Sequence, residues 1–143
     1  MLFMVKNLSY NSKKNKALLL ELVGSPHSLV EKFKLRGIGS NKLVITNAST
    51  EIVKLLRLDN NINYCNIEIR KKGIIIRFRS LLETYGLIIP FYKLVIYKGE
   101  SKIYSFYKDK YYIKFMVDNE SSILFIKKVI RLKTMYLKKL GLN

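Results

Sequence analysis

The spacing of apolar residues changes character twice along the chain. Residues 7–16 are polar and basic, and residues 17–23 then form an apolar run that stops at Gly24, which together predict a helix from about Ser12. The next segment is punctuated at both ends. Ser25 has a hydroxyl that can accept from a first-turn N–H, Pro26 has the fixed φ that suits a first helical position, and Gly37 can take the left-handed conformation of a helix stop. With Leu29, Val30 and Phe33 at helical spacing between them, a helix is expected over residues 26–36. Residues 36–42 (RGIGSNK) read as a loop, 42–46 as a short strand and 47–50 as a turn. Ile52, Val53, Leu55 and Leu56 fit either a short helix or a strand, because periodicity does not separate the two in so short a run; the helix is the preferred reading.

From Ile62 the period becomes two. Cys65, Ile67 and Ile69 alternate with Asn66, Glu68 and Arg70, and after a turn at Lys71, Lys72 and Gly73 the residues Ile74, Ile76 and Phe78 alternate with Ile75, Arg77 and Arg79. This predicts a hairpin with Ile67, Ile69, Ile74, Ile76 and Phe78 on the core face and a basic opposite face. A loop is expected at 83–86, then an extended segment over 87–97 that Pro90 interrupts at an edge, bulge or bend. Turns at 98–102 and 108–110 separate further strands over 103–107 and 111–117. Short connections imply antiparallel neighbours, so residues 61–117 are read as a meander of about five strands, a curved sheet or partial barrel. Asp118, Asn119 and Glu120 then open a long helix to about Leu140, stopped by Gly141. Its one half carries Ile123, Phe125, Ile126, Val129, Ile130, Leu132, Tyr136, Leu137 and Leu140; the other carries Lys127, Lys128, Arg131, Lys138 and Lys139. The fold class is therefore α+β, with residues 1–143 as one domain: a mainly helical segment over 1–60, the meander, and a C-terminal helix over 118–141.

This element order, together with the phrase LIIPFYKLVIY at residues 87–97, resembles bacterial domains of the pleckstrin-homology type. The resemblance covers residues 62–140 and leaves the first sixty as an addition to the family pattern. It implies a curved antiparallel sheet with the long helix closing one end. It implies no particular activity, since that fold hosts lipid, peptide and protein binding alike.

Charge narrows the picture more than composition does. The 143 residues include 27 Lys and Arg against 10 Asp and Glu, a formal net charge of +17, and a chain this basic repels itself when compact. A polyanionic partner, nucleic acid or an acidic membrane surface, is the natural offset. Cys65 is the only cysteine, which excludes an internal disulfide and fits a reducing compartment. The apolar start of the chain gives way to Lys6 too early for a signal peptide, and no stretch approaches the ~20 apolar residues that span a bilayer, so a soluble, cytoplasmic protein is expected.

The chemical inventory points away from catalysis. His27 is the sole histidine, expected on a surface helix with no nucleophile at hand, and one His and one Cys do not make a zinc site. Glu68, Glu83, Asp109, Asp118 and Glu120 are scattered through turns and strands, with no spacing that forces a pair together. Gly37 and Gly39 lack the third glycine of a dinucleotide fingerprint and the ending of a P-loop. KGIIIRFR at 72–79 has the outline of an RNA-recognition strand, but isoleucines stand where its stacking aromatics belong. Tyr92, Tyr97, Tyr104, Tyr107, Tyr111 and Tyr112 are interleaved with Lys93, Lys98, Lys102, Lys108, Lys110 and Lys114, a pattern that can stack bases and follow phosphates, although alternation turns half of the rings inward. The expectation is a non-catalytic binding domain without cofactor or metal. Its candidate polyanion contacts are Arg70, Lys71, Lys72, Arg77 and Arg79 on the hairpin and Lys127, Lys128, Arg131, Lys138 and Lys139 on the helix. Nucleic acid is the first-choice partner, a pleckstrin-homology-like adaptor for an acidic protein or anionic lipid the second reading, and a small basic nuclease the third.

Overall fold

The computed structural model describes residues 5–9, 12–58 and 62–141. In chain order the elements are β1 (Val5–Asn7), α1 (Lys13–Val23), α2 (Leu29–Lys34), β2 (Leu43–Ala48), α3 (Thr50–Leu56), β3 (Tyr64–Ile69), β4 (Gly73–Ser80), β5 (Glu83–Pro90), β6 (Leu94–Lys98), β7 (Ile103–Lys108), β8 (Tyr111–Met116) and α4 (Glu120–Lys139). The protein is α+β, with one open eight-stranded antiparallel sheet in the order β1-β5-β4-β3-β2-β8-β7-β6 and a long C-terminal helix. Eight strands replace the expected five. Two come from the first sixty residues, where β1 pairs with β5 and β2 stands in the middle of the sheet between β3 and β8. That segment is part of the sheet as well as helical.

The expected single meander is two, β3-β4-β5 and β6-β7-β8, joined through β2. Although only residues 91–93 separate β5 from β6, the two strands do not pair. Pro90 is the last residue of β5, where it ends pairing as a residue without an N–H must, and the chain turns there onto the far end of the sheet. The expected loop at 83–86 is strand: Ser80 and Glu83 face each other across a two-residue turn in which Leu81 has a φ of 56°. Two leucines at that turn give no glycine or asparagine signal, so the hairpin has no mark in the sequence.

The two faces of the sheet are unequal. On the inner face, Ile67, Ile69, Ile74, Ile76 and Phe78 are all buried as their alternation requires, with Phe106, Ile113 and Phe115 from the second meander. Ile52 and Leu56 of α3 and Phe125, Ile126 and Val129 of α4 complete this core. The segment 52–56 is therefore helical, which resolves the open alternative. On the outer face, α1 packs Leu19 and Val23 against Ile75 and Ile88. The approach is close at Gly73, where a Cβ would stand 2.4 Å from the Ile89 carbonyl oxygen and 2.7 Å from Val23 Cγ1.

The helices show how local signals are read. Ser12 caps α1 by accepting from the Asn15 N–H, and Gly24, at a φ of 81°, ends it. The next helix begins later than expected, because Ser28 and not Ser25 is its cap: Ser28 Oγ accepts from the Glu31 N–H at 3.2 Å while Glu31 Oε1 accepts from the Ser28 N–H at 2.9 Å. Ser28 has a glutamate three residues on and Ser25 does not, so only Ser28 can form this reciprocal box. The apolar face expected of this helix is not buried; Leu29 and Phe33 are 83% and 86% exposed. On α4 the cap is Asn119, and Gly141 follows the end at a φ of 77°. Only a stripe of its apolar half is buried, while Ile123, Ile130 and Leu140 of that half are exposed.

Candidate nucleic-acid interface

Residues 38–40 extend the sheet beside β3: Ile38 O accepts from the Ile69 N–H, and Ser40 exchanges bonds with Ile67 through its N–H and its Oγ. This fixes the α2–β2 connection against the start of α4, where Asn41 Nδ2 donates to Ser121 Oγ. Arg36 and Gly37 take positive φ values of 58° and 99°, and both of their carbonyls accept from Lys128 Nζ, at 3.3 and 2.9 Å. Between the connection and the helix lies an open groove of about 940 Å³. Lys34 and Arg36 line one wall and Lys127, Lys128 and Arg131 the other, with Glu120 as the single lining carboxylate. Among the described residues, none of these five cations is ion-paired. Loss of hydration, and after it the charges of Arg131 and Arg36, hold the Lys128 ammonium below the ordinary lysine pKa.

Three of the ten expected contacts thus converge here, joined by two cations that the sequence did not single out. Lys128 is not the free surface cation expected of it, since it ties α4 to the Arg36–Gly37 carbonyls. Lys138 and Lys139 are exposed in the last turn of α4, roughly 10 Å along the helix from Arg131, where they also face the negative end of its dipole. Nothing local in the sequence announces Lys34 or Arg36. Their place depends on a pairing between residues nearly thirty positions apart.

The hairpin cations are arranged differently, and the expected basic face is largely occupied. Ile75 on that face is covered by α1. Arg70 Nε lies 2.7 Å from Glu68 Oε2, and Arg77 donates to the other oxygen of the same carboxylate. Partial burial raises the pKa of Glu68, but the bonds and charges of Arg77 and then Arg70 outweigh it and hold the carboxyl below its usual range. Lys71 reaches Glu31 at 3.6 Å. Lys72 and Arg79 are exposed, and Arg79 faces a recess of about 520 Å³ that it shares with Lys42 and Tyr64, where the Lys42 ammonium sits 5.7 Å from the ring centroid.

The tyrosines divide as alternation requires. Tyr104 and Tyr111 point into the core with Phe106 and Ile113. Tyr97, Tyr107 and Tyr112 stand on the outer face of β6, β7 and β8, with ring centroids 5.5 Å apart for the first pair and 5.0 Å for the second. Lys114 Nζ lies 5.7 Å from the Tyr112 centroid.

Burial pushes the Cys65 thiol up to about 12, which keeps it a neutral core side chain. His27 Nδ1 sits 3.6 Å from Glu31 Oε2 on a partner that already closes the α2 cap. Among the described residues no group of three His, Cys, Asp or Glu side chains could hold a metal ion, and no helix is long and apolar enough to cross a membrane. No protein-family model, curated protein or solved structure matches the chain.

Proposed function

We propose that this protein is a non-catalytic binding domain for nucleic acid, with the groove between α4 and the α2–β2 connection as the site that holds phosphates. The observation that carries the reading is the convergence of Lys34, Arg36, Lys127, Lys128 and Arg131 around one carboxylate, with no ion pair among the described residues to satisfy them. A surface that merely keeps a protein soluble intersperses both signs of charge, whereas a one-sign cleft focuses potential on a polyanion. Arg131 and Arg36 present planar forks suited to phosphate oxygens, and Lys127 and Lys34 act as point charges beside them. In this reading the protein works in the cytoplasm, where nucleic acid is abundant.

A second reading has an observation of its own. Leu29, Val30 and Phe33 project from α2 into solvent beside Lys32 and Lys34, an arrangement that suits an adaptor of pleckstrin-homology type resting on an anionic membrane. A basic nuclease ranks third. Fluorescence anisotropy with RNA and DNA oligonucleotides, flotation with phosphatidylserine vesicles and an RNA-cleavage assay separate the three. The proposal expects micromolar or tighter, salt-sensitive oligonucleotide binding with the RNA left intact. Binding to vesicles alone replaces it with the second reading, and RNA cleavage with the third.

A further inference from the structure

We propose that Tyr97, Tyr107 and Tyr112 form a platform on which the bases of a single-stranded nucleic acid stack. The proposal rests on the nucleic-acid reading and deepens it, by naming the form of nucleic acid and a second contact surface.

The platform follows from register. Tyr107 is the cross-strand partner of both Val95 on β6 and Tyr112 on β8, and Tyr97 lies two residues beyond Val95, opposite Ser105. All five side chains share the outer face, since Ile96, Phe106 and Ile113 between them belong to the core. The three rings therefore run in a row across three strands. Tyr97 is 59% exposed and Val95 43%, and Tyr107 and Tyr112 are partly buried. The helix that covers the outer face, α1, lies on Ile75 and Ile88 at β4 and β5.

Charge beside the row selects the ligand. Lys114 sits over Tyr112, and at the β7–β8 turn Lys93 and the buried Lys108 meet Asp109 while the Lys110 ammonium lies over the inward Tyr111 ring. Asp109 is the one acid there, lining a recess with Val95, Tyr97 and Tyr107. Its carboxylate is already held by Lys108 at 3.2 Å and Lys93 at 3.5 Å, so the cluster remains net positive. Aromatic side chains next to a net positive cluster fit a ligand that has flat π-surfaces on an anionic backbone. Tyr97 stands edge-on to Tyr107, at an interplanar angle of 88°, and Tyr107 is tilted by 31° to Tyr112, so bases can stack on these rings only if they are free to splay out of parallel. A duplex keeps its bases stacked inside and offers phosphates alone, so it can use the groove but not the platform.

The test compares a ten-nucleotide oligo(dT) with an abasic oligonucleotide of the same length, and with a ten-base-pair duplex. Wild-type protein is expected to bind oligo(dT) at least tenfold more tightly than the abasic chain, and the Tyr97→Leu/Tyr107→Leu variant to lose that preference while keeping its abasic affinity. Leucine keeps an apolar strand former at both positions. If the double variant does not fold, Tyr97→Leu alone, at the most exposed ring, is expected to lose part of the preference. Because the chain has ten tyrosines and no tryptophan, quenching of its tyrosine emission by saturating oligo(dT), but not by the abasic chain, gives a second readout on unmodified protein. Equal wild-type affinity for oligo(dT) and the abasic chain overturns the platform and leaves the groove reading standing, as does tighter binding to duplex or an unaltered preference in the variants. Binding to none of the three ligands overturns both.

Discussion

The outer face of the sheet is two surfaces of different construction. Over β4 and β5 it is interior: Ile75 and Ile88 are fully buried beneath α1, and the arginines beside them are bound to Glu68. Over β6, β7 and β8 it is exterior: tyrosines lie in a row, and Lys114 has a ring beside it but no ion pair among the described residues. Beside α1 the sheet thus ties Arg70 and Arg77 to one carboxylate, whereas on the bare half Asp109 answers Lys93 and Lys108 at the β7–β8 turn and Lys114, among the described residues, has no carboxylate partner. Burying an unpaired charge is costly, so Arg70 and Arg77, partly buried beside α1, are paired with Glu68, while Lys114 over the Tyr112 ring can offer its charge to a ligand.

The contrast is broken most severely by removing the apolar contacts beneath α1. Ile75→Ala and Ile88→Ala are each expected to lose about 2–5 kcal/mol in urea unfolding, from lost burial plus the cavity left behind. Val95→Ala on the bare half should change stability by about 0.5 kcal/mol or less. Equal losses on the two halves would mean that the bare face is also a packed one. Next comes Gly73→Ala, whose new methyl meets the Ile89 carbonyl oxygen and Val23; overpacking of this kind costs about 1–3 kcal/mol, and Gly39→Ala, with open space around it, serves as the control.

The smallest effect sharpens the contrast through pH. The folded pKa of Glu68 lies below the ordinary 4.5, so its contribution to stability is present above the unfolded value and is lost as pH falls through the folded one. Glu68→Gln should therefore lower stability near pH 7 by about 1 kcal/mol and flatten the decline below pH 4.5. Asp109 is also held below its ordinary value, by Lys108 first, but it is exposed, and Asp109→Asn should leave the acid limb nearly unchanged. The midpoint of urea unfolding against pH for the two variants checks this, and a larger effect at Asp109 would reverse the assignment of covered and bare halves.

How much of this was legible depended on whether a feature was local. Period two in residues 65–69 and 74–78 fixed the core face of the hairpin, and Asn119 with Gly141 marked the long helix closely. The covered half also has a signature, in the unbroken runs Ile74 to Ile76 and Leu87 to Ile89, which belong to strands buried on both faces; alternation alone puts Ile75 on a polar face and does not register its burial. The bare half reads as it is built, with Tyr111, Ile113 and Phe115 inward and Tyr112, Lys114 and Met116 outward. Sheet order was not legible, because short connections argue for adjacent pairing and the turn after Pro90 is the exception. The groove was half legible. Lys127, Lys128 and Arg131 share a helix face, but Lys34 and Arg36 reach them only through the pairing of residues 38–40 with β3.

The central claim is that unpaired groove cations hold phosphates, and the salt dependence of oligonucleotide affinity tests it most directly. Lys34→Gln, Lys127→Gln and Arg131→Gln together leave Lys128 and its two carbonyl bonds intact, so the connection stays anchored. Each phosphate contact on a single strand contributes roughly 0.7 to the slope of log K against log salt. The triple variant should therefore bind oligo(dT) more weakly at low salt, with a slope shallower by about 2, and should unfold at the wild-type urea midpoint. An unaltered slope in a folded triple variant would contradict the account and remove the groove from the binding site.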